Sequence, residues 1–366
     1  ISFLTTYNVI LWIIRTISLK KRKRLSLRSF SFLCYTDPMT FTDRLLNWYH
    51  DNKRDLPFRE NRDPYRIWVS EIMAQQTQIA TMIPYFNRWI ERYPTVQDLA
   101  NASIDDVLKL WEGLGYYRRA RNLHLGAQFV VEHFNGVLPD TKEELMMIPG
   151  IGDYTSSAIA SIAFSKPEIV IDGNVKRVMA RYLNYTENVN ARKAHKVFEE
   201  FLKKELLSSG ADPNEFNQAM MELGALVCTP SNVRCEGCPF EEMCACWRGE
   251  VSSDVPYTPK AKKVPSYDKS VLILTVDDKI LISKDHSDGL MEGLFRLPQV
   301  DGHLQDKEVV ASLVHKFSHL HWNIKAYYVD TVDANDNWFF VPIQELNDSI
   351  AMITAHRKIL KELNIL

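Results

Sequence analysis

The sequence predicts a multidomain protein in which a mostly α-helical part is followed by a four-cysteine loop and then by a small α+β domain. Three observations support this fold class. Apolar residues recur at three- and four-residue spacing between Thr40 and Val227, which is typical of amphipathic helices. Four of the six cysteines then lie between Cys228 and Cys244. Beyond residue 268, short β-type runs replace the helical pattern.

Length and composition indicate a globular protein with more than one core. The chain has 366 residues, of which 46% are hydrophobic, 25% charged and 11% aromatic. The formal net charge is −2, but residues 1–38 hold seven Lys or Arg and one acid, so residues 39–366 carry 37 basic and 45 acidic groups. An acidic body argues against binding nucleic acid through bulk charge, so any DNA contact has to come from local patches.

The first 38 residues have a pattern of their own. An apolar run from Val9 to Ile14 precedes the basic run Lys20–Arg24, whereas a secretory signal has its charges first. The apolar run is also too short to predict a membrane span. We expect residues 1–38 to be a non-native or disordered extension ahead of a start at Met39, with a short membrane anchor or a basic tail as the alternative.

Composition shifts predict the domain boundaries. Residues 39–227 form the helical domain and residues 228–249 the cysteine loop. Residues 250–267 are rich in Pro, Ser and Lys without periodicity, which indicates a linker. In residues 268–366 we predict β-type runs at Ser270–Val276, Lys279–Ser283, Ala326–Val329 and Trp338–Val341. One closing helix is predicted at Ile350–Leu363.

The cysteine spacing predicts a metal centre. The four residues form the pattern Cys228-x6-Cys235-x2-Cys238-x5-Cys244. Four soft thiolates in so short a segment can ligate zinc or an iron–sulfur cluster, and they favour a reducing compartment over a disulfide scaffold. Structural zinc usually takes two Cys-x2-Cys pairs, and only one is present here. The x6-x2-x5 spacing resembles the cluster loop of the endonuclease III superfamily of DNA glycosylases, which implies one 4Fe-4S cluster.

A glycine hairpin and a following acid add a second motif. In Leu145–Thr155, LMMIPGIGDYT, the turn around Gly150 and Gly152 can hold a DNA phosphate with its backbone N–H groups, although an ordinary helix–helix turn has the same pattern. Asp172 follows the apolar run Ile169–Ile171, where an acid either caps a helix or works chemically. Hairpin, spaced Asp and cysteine loop resemble the helix-hairpin-helix glycosylase fold over residues 40–248. The resemblance implies that Asp172 is catalytic.

One position distinguishes two kinds of glycosylase in that superfamily. The bifunctional lyases carry a lysine two residues after the second hairpin glycine, and its amine forms a Schiff base with the sugar. This chain has Tyr154 there, and a phenol cannot form an imine. Hydrolysis without lyase activity is therefore favoured. The alternatives are a bifunctional endonuclease III-type glycosylase/lyase acting on oxidised pyrimidines and a non-catalytic iron–sulfur DNA-binding module.

The segment Arg59–Thr77, RENRDPYRIWVSEIMAQQT, resembles the MutY family of adenine glycosylases. Glu71 and Gln75 are four residues apart on one predicted helix face, with Glu71 at the edge of the apolar stripe. A carboxyl at such a margin has a raised pKa and can serve as an acid, although a surface Glu on an amphipathic helix gives the same pattern. The resemblance implies that Glu71 protonates N7 of an extruded adenine and then activates water, while Asp172 stabilises the oxocarbenium-like sugar.

The same resemblance implies the residues around the adenine. Tyr154 lies near the sugar, and Asn174 holds Asp172 in place. The MutY family usually has Trp where this chain has Phe58, so a pocket hydrogen bond is expected to be absent while stacking is kept. The substrate-binding residues expected on this side are Arg59, Gln75, Gln76 and Gln218.

Residues 111–120, WEGLGYYRRA, also match the family. An aromatic residue in a glycine-flanked turn suits intercalation into DNA, which makes Tyr116 the candidate wedge with Leu114 beside it. The following Arg118, Arg119 and Arg121 suit phosphate contacts. Core packing and a solvated basic face are the alternative explanation of these residues.

Residues 268–366 resemble the Nudix-like domain that MutY enzymes append. A working Nudix hydrolase needs a Glu-rich helix to hold magnesium, and no such sequence follows Gly293–Pro298, so we predict no Nudix hydrolase activity. Phe317, Ser318 and His319 match the loop with which the family recognises 8-oxoguanine, although the bare tripeptide also suits an ordinary loop. A hydroxyl can accept from the N7–H that only the oxidised base carries.

Together, the residues and the resemblance imply a base excision repair hydrolase. Its expected partner is double-stranded DNA in which adenine is mispaired with 8-oxoguanine or guanine. We further expect a monomer without membrane association, in the cytoplasm of a bacterium and on the nucleoid by virtue of its substrate.

Overall fold

The computed structural model describes residues 39–249, 255–260, 263–284, 286–333 and 335–366. The extension expected at residues 1–38 lies outside the described residues, as does part of the expected linker. All elements below belong to one compact unit, Thr40–Leu366. None of its described helices is long and apolar enough to cross a membrane.

The N-terminal part of this unit is helical, as the apolar periodicity predicts. Local sequence sets several of the helix starts: the Thr40 hydroxyl accepts from the Asp43 N–H at the first helix, and the Asp63 carboxylate accepts from the Tyr65 N–H at the second. The helices are α1 (Phe41–Asn52), α2 (Pro64–Ala74), α3 (Ile79–Arg92), α4 (Val96–Ala100), α5 (Ile104–Leu110), α6 (Arg118–Phe134), α7 (Lys142–Leu145), α8 (Asp153–Phe164), α9 (Gly173–Leu183), α10 (Arg192–Ser209) and α11 (Pro213–Leu226), with a 3-10 turn at Pro57–Arg59.

Two hydrophobic clusters stabilise the helical part. The first contains Trp68 and Phe86, both fully buried, and extends into the C-terminal part. The second contains Phe198 and Phe216 and extends to Phe240 in the cysteine loop. Helix α2 packs on α8, and α8 packs on α11, which also contacts α1 and α9. The residues between the two clusters are therefore held from both sides.

The C-terminal part is the predicted α+β domain. One sheet has the order β4-β1-β6-β5 and the other β2-β3-β7. β1 runs parallel to β6, with Val271 opposite Ala326, and the remaining pairs are antiparallel. The elements are β1 (Ser266–Ile273), β2 (Thr275–Val276), β3 (Lys279–Ser283), β4 (Gln299–Asp301), β5 (Ala311–Lys316), β6 (His321–Tyr328), β7 (Trp338–Pro342), α12 (Ile343–Asp348) and α13 (Thr354–Glu362).

Some boundaries differ from those expected. β1 begins at Ser266, inside the expected linker, because its first residues already pair with β6. The closing helix begins at Thr354 and not at Ile350, since Met352 forms a bridge with Phe295 in the preceding segment. Among the described residues between β3 and β5 there is one strand and no helix.

The two parts are joined beside the turn that follows α5. The Glu112 carboxylate accepts from the Met352 N–H at 2.9 Å and from Arg357 at 3.3 Å. Lys109 donates to the carbonyl oxygens of Leu346 and Ile350, each at 3.0 Å. The C-terminal domain is thus attached directly next to the turn that carries the expected wedge.

Candidate active site

A cavity of about 940 Å³ lies between the two hydrophobic clusters. Helices α2, α8, α9 and α11 supply most of its walls, with the 3-10 turn on one side. All eight residues expected near the adenine and its sugar line this cavity. They are Arg59, Glu71, Gln75, Gln76, Tyr154, Asp172, Asn174 and Gln218.

Glu71 lies on α2 and faces the cavity and not the outer surface. Its Oε2 accepts a hydrogen bond from the Tyr154 hydroxyl at 2.7 Å. Burial raises the pKa of this carboxyl above its usual value; the Tyr154 hydrogen bond lowers it, the Asp172 charge raises it and the Arg59 charge lowers it. A carboxyl with a raised pKa, set against a hydroxyl donor, is suited to donate a proton.

Asp172 is both a helix cap and a wall of the cavity. One carboxylate oxygen accepts from the Val175 N–H at 2.7 Å and so caps α9, while the other accepts from the Asn174 side-chain amide at 2.8 Å. Burial raises its pKa, and these hydrogen bonds oppose that effect. A helix cap and a chemical role are therefore compatible for Asp172, because the helix N-terminus that it caps also stabilises its negative charge.

Tyr154 lies in the first turn of α8, directly after the glycine hairpin. Besides donating to Glu71, its hydroxyl lies 3.8 Å from the sulfur of Met221. Burial, together with the charges of Glu71 and Asp172, raises the pKa of the phenol well above its ordinary value. The phenol therefore stays protonated and acts as a hydrogen-bond donor.

A buried ion-pair cluster that the sequence did not predict forms the floor of the cavity. Glu222 on α11 accepts from Arg54 through both carboxylate oxygens, at 2.6 and 2.9 Å, and from Arg59 at 2.9 Å. Although burial opposes its charge most strongly, the two arginines together hold the pKa of Glu222 below its usual value. The only signal in the sequence is an acid inside the apolar run of α11. Arg59 has a second guanidinium nitrogen, Nη1, that is buried without a partner among the described residues.

Hydrogen bonds connect the cavity to the cysteine loop. Arg177 donates to the side-chain oxygen of Asn174 at 2.8 Å, and Asn174 in turn donates to Asp172. The same guanidinium donates to the carbonyl oxygens of Gly224 and Cys228, both at 2.7 Å. Asn174 therefore bonds to Asp172 and is itself bonded to Arg177, an arginine that the sequence did not single out.

The four cysteines of the expected cluster are partly buried, and none forms a disulfide. Burial raises the pKa of Cys238 to about 12, and the other three cysteines add to this effect. Four thiolates in one short loop repel one another unless a cation lies among them. Within the described residues, no group of three or more Cys, His, Asp or Glu side chains is already arranged around a metal position. The donor chemistry itself, four free thiols, suits an iron–sulfur cluster or zinc.

The glycine hairpin leaves no room for a side chain at Gly150, whereas the expected wedge has one exposed and one buried side chain. Gly150 has a φ of +84°, and a Cβ there would lie 2.6 Å from the Cβ of Asn122, so this turn requires glycine. Gly152 is the N-cap of α8. Tyr116 is 49% exposed, but Leu114 is only 7% exposed and packs in the first hydrophobic cluster. Only Tyr116 is thus presented to the outside, and Leu114 has the alternative role, core packing.

The Phe317–His319 loop joins β5 to β6 and does not line the cavity. Ser318 and His319 are exposed. Phe317 packs edge-to-face on Trp322 with the ring centroids 4.9 Å apart. The loop therefore has an anchored aromatic residue and two polar side chains available to a partner.

Comparisons with known proteins identify the family. Residues 69–204 match the family model described as the HhH-GPD superfamily base excision DNA repair protein, and residues 270–362 match the NUDIX domain. The chain is 37% identical over 265 residues to the adenine DNA glycosylase of Buchnera aphidicola subsp. Baizongia pistaciae, covering 71% of this chain and 74% of that protein. It is 43% identical over 255 residues to that of Mus musculus, covering 64% of this chain but only 49% of the longer mouse protein.

A solved structure, that of a thermostable thymine-DNA glycosylase, is also similar. It aligns with a TM-score of 0.52 at 26% identity, and the alignment covers 57% of this chain and 95% of that one. The helical part therefore has the helix-hairpin-helix glycosylase fold, and the C-terminal part is Nudix-like.

Proposed function

Since this chain belongs to the adenine DNA glycosylase family and is a DNA glycosylase, a hydrolase of N-glycosyl bonds, we propose that its substrate is adenine mispaired with 8-oxoguanine or guanine in double-stranded DNA. The observation that carries the proposal is the hydrogen bond between Tyr154 and Glu71 in a cavity that also holds Asp172. It provides one carboxyl suited to proton transfer and a second suited to stabilising positive charge.

The reaction then follows from the two carboxyls. Adenine leaves poorly until it is protonated, and it has to be flipped out of the duplex to enter the cavity. Glu71 gives a proton to N7, the bond between N9 and the sugar C1′ breaks, and its electron pair stays on the base. Asp172 stabilises the oxocarbenium-like sugar. The Glu71 carboxylate then accepts a proton from water as the water oxygen bonds to C1′.

The cavity walls supply groups that fit an adenine. The unpartnered Nη1 of Arg59 and the amide of the buried Gln218 offer hydrogen-bonding groups for the base edge. Phe58 packs edge-to-face on Phe86 and offers stacking without the N–H that a Trp would have. Gln75 donates to Thr155 at 3.4 Å and Gln76 is exposed at the rim, which suits contacts to the base and to its neighbours.

Hydrolysis without lyase activity is part of the proposal. The position that carries a lysine in the lyases is Tyr154, whose hydroxyl is bonded to Glu71. An amine does line the same cavity, that of Lys176, 3.4 Å from the side-chain oxygen of Asn190. Borohydride could therefore trap a small amount of a covalent adduct between Lys176 and the DNA even if the enzyme is a hydrolase. In that case the adduct should disappear in the Lys176→Ala variant, while adenine release continues.

One 4Fe-4S cluster is proposed for the cysteine loop, with Cys228, Cys235, Cys238 and Cys244 as its ligands. Arg181 donates to the Cys228 sulfur at 3.3 Å and to the Thr229 carbonyl oxygen at 2.8 Å, which suits a loop ordered around thiolates. Such a cluster orders the loop when bound and supplies no electron to the hydrolysis, because breaking a glycosidic bond with water involves no net redox change.

The remaining contacts concern the opposite base and the DNA backbone. We place Ser318, beside Phe317 and His319, as the acceptor for the N7–H of 8-oxoguanine. Tyr116 is the wedge at the extruded base, and the turn of Gly150 and Gly152 holds a phosphate through its N–H groups. A monomeric state and a cytoplasmic, nucleoid-associated location remain predictions.

A single-turnover assay tests this function. Enzyme in excess is mixed with duplexes that pair adenine with 8-oxoguanine, guanine or cytosine, and free adenine is measured by chromatography. We expect release from the first two duplexes, with 8-oxoguanine preferred, and strand nicking only after alkaline treatment. No adenine release from any of the duplexes, or nicking that keeps pace with release, would contradict the proposal.

A further inference from the structure

The turn that carries Tyr116 is bonded to the helix that carries Glu71 through one side chain, Arg119. We call residues 112–117 the wedge turn. Arg119 lies in the first turn of α6, directly after it. Its Nη2 donates to the carbonyl oxygens of Leu114 at 3.3 Å and Gly115 at 3.1 Å, so it holds the wedge turn by its main chain.

The other nitrogen of the same guanidinium holds the end of α2. Nη1 donates to the carbonyl oxygens of Ile72 at 2.9 Å and Met73 at 3.0 Å, and also to that of Gln75. The last carbonyls of a helix have no partner within the helix and carry its negative end, so a cation is favoured there. Glu71 is the residue directly before Ile72, whose carbonyl oxygen is one of the three that Nη1 binds.

The planar guanidinium fixes the relative position of these two segments. Its rigid fork offers donors in two directions, and it also lies 5.2 Å from the ring of Trp111 and 5.5 Å from that of Tyr116. Trp111 donates to the Gly115 carbonyl oxygen at 3.0 Å, which adds a second contact to the same turn. A lysine has its three donors on one nitrogen and lacks the planar fork that holds both segments in a fixed geometry.

These contacts also correct an expectation drawn from the sequence. The sequence predicts Arg119 as a phosphate contact together with Arg118 and Arg121, but both terminal nitrogens of Arg119 donate within the protein and its Nε is buried. Burial lowers the pKa of its guanidinium to about 10, so the group is still charged at neutral pH. Arg121 instead lies 3.1 Å from Glu292 in the C-terminal part.

We propose that Arg119 is a positioning residue that couples insertion of Tyr116 into DNA to the placement of Glu71 against the extruded adenine. The inference rests on the roles given above to Tyr116 and Glu71. A wedge turn displaced by intercalation transmits its position through Arg119 to the C-terminal end of α2, so the wedge sets where the preorganised acid lies relative to the extruded adenine.

A double-mutant cycle on adenine release tests the coupling. Single-turnover rates on the adenine:8-oxoguanine duplex are measured for the wild type, Tyr116→Ala, Arg119→Met and the double variant. Independent residues have effects that multiply, whereas coupled residues do not. We expect the double variant to be within about threefold of the slower single variant, because either change already breaks the same connection. Effects that multiply to within about a factor of two would overturn the proposal.

The matched control is Arg66→Met. Arg66 is also a partly buried arginine, it lies on α2, and it also donates to a carbonyl oxygen, that of Pro57 at 3.1 Å. It has no recorded contact with the wedge turn in the described structure. In a cycle with Tyr116→Ala its effect should multiply, so a non-multiplying result there would assign the behaviour of Arg119 to general destabilisation and count against the proposal.

Hydrogen exchange tests the same coupling without base release, and so separates it from the proposed function. A duplex with a tetrahydrofuran abasic analogue opposite 8-oxoguanine is bound to the wild type and to Arg119→Lys, which keeps the charge and serves if the Met variant is unstable. In the wild type, binding should slow exchange in residues 112–117 and 72–78 together; in Arg119→Lys only the first segment should respond. Equal responses of both segments in both proteins would overturn the proposal. Failure of the wild type to release adenine would remove the proposed function and leave this comparison intact.

Discussion

The catalytic cavity and the Phe317–His319 loop differ in how much of their working geometry exists before DNA binds. In the cavity, Glu71 has a hydroxyl donor at 2.7 Å and Asp172 has two donors within 2.8 Å. In the loop, the contact recorded for the Ser318 hydroxyl is its neighbour His319 at 3.5 Å. The chemistry is preorganised, whereas recognition of the opposite base is completed by the DNA.

The physical reason for this difference is burial. A carboxyl removed from water is costly without hydrogen-bond partners, so the fold has to supply them, and their positions are fixed in advance. An exposed hydroxyl keeps its hydrogen bonds with water and exchanges them for those of a base on binding. Variants of the cavity should therefore change the rate on every substrate, while variants of the loop should change the choice between substrates.

The largest expected effect is that of Glu71→Gln. The amide keeps the shape but cannot deliver a proton, so single-turnover adenine release should fall by about 10³-fold or more on every duplex while duplex affinity is kept. Glu91→Gln, an exposed change on α3, is the control and should leave the rate unchanged. A Glu71→Gln variant with more than a tenth of the wild-type rate would remove Glu71 from the mechanism.

The same variant has a predicted signature in stability. Because the pKa of Glu71 is raised in the folded protein, ionisation at higher pH disfavours the folded state, and the protonated form is tolerated at low pH. Glu71→Gln should therefore raise Tm near neutral pH. That gain should shrink as the pH falls toward the ordinary pKa of Glu, as measured by thermal unfolding across a pH series.

The next largest effect is expected for Asp172→Asn. Asparagine caps helices about as well as aspartate, so α9 should keep its N-cap, and because burial raises the pKa of Asp172, removal of its charge should not lower Tm near neutral pH. The neutral amide cannot stabilise a positive sugar, so adenine release should fall by about 10²- to 10³-fold. A variant that lost stability and activity in parallel would indicate that Asp172 is mainly a cap.

A smaller effect, visible mainly in the pH profile, is expected for Tyr154→Phe. The acid form of Glu71 is the active one, so the rate falls as the pH rises through its pKa. The Tyr154 hydrogen bond lowers that pKa. Removing the hydroxyl should therefore move the alkaline limb of the profile to higher pH, with a rate loss of about tenfold at the optimum from poorer alignment of the acid. Movement of the limb to lower pH would contradict this assignment.

These differences also show what the sequence could predict. Helical periodicity is local, so α2 and the residues on its cavity face were predictable, as were the helix after the hairpin and the cap at Asp172. The floor of the cavity was not, because Glu222 lies more than 160 positions from Arg54 and Arg59 and only the fold brings them together. The sequence also predicted a turn at Gly113–Gly115, but not that Leu114 would be buried.

In the C-terminal domain, prediction from the sequence fails for a different reason. β4 has only three residues, and β5 alternates with exposed positions at an edge of its sheet, so neither produces a strong apolar signal. β3 lies inside its sheet and was predictable from its apolar residues. The expected run Ala326–Val329 covers only the end of β6, because the first part of that strand, residues 321–325, alternates polar and apolar residues. The loop between β5 and β6 was located by its three residues and the resemblance, and its geometry could not be inferred from either.

The smallest expected effect, Ser318→Ala, bears most directly on the contrast between cavity and loop. Loss of one hydrogen bond to the oxidised base costs about 1 kcal/mol, which is about fivefold in rate or affinity. Adenine release opposite 8-oxoguanine should therefore fall about fivefold, while release opposite guanine, which lacks the N7–H, should not change. Ser312→Ala, an exposed serine on β5, is the control and should change neither rate. Equal losses on both duplexes would mean that the loop contributes to DNA binding in general, and that the opposite base is recognised elsewhere in the protein.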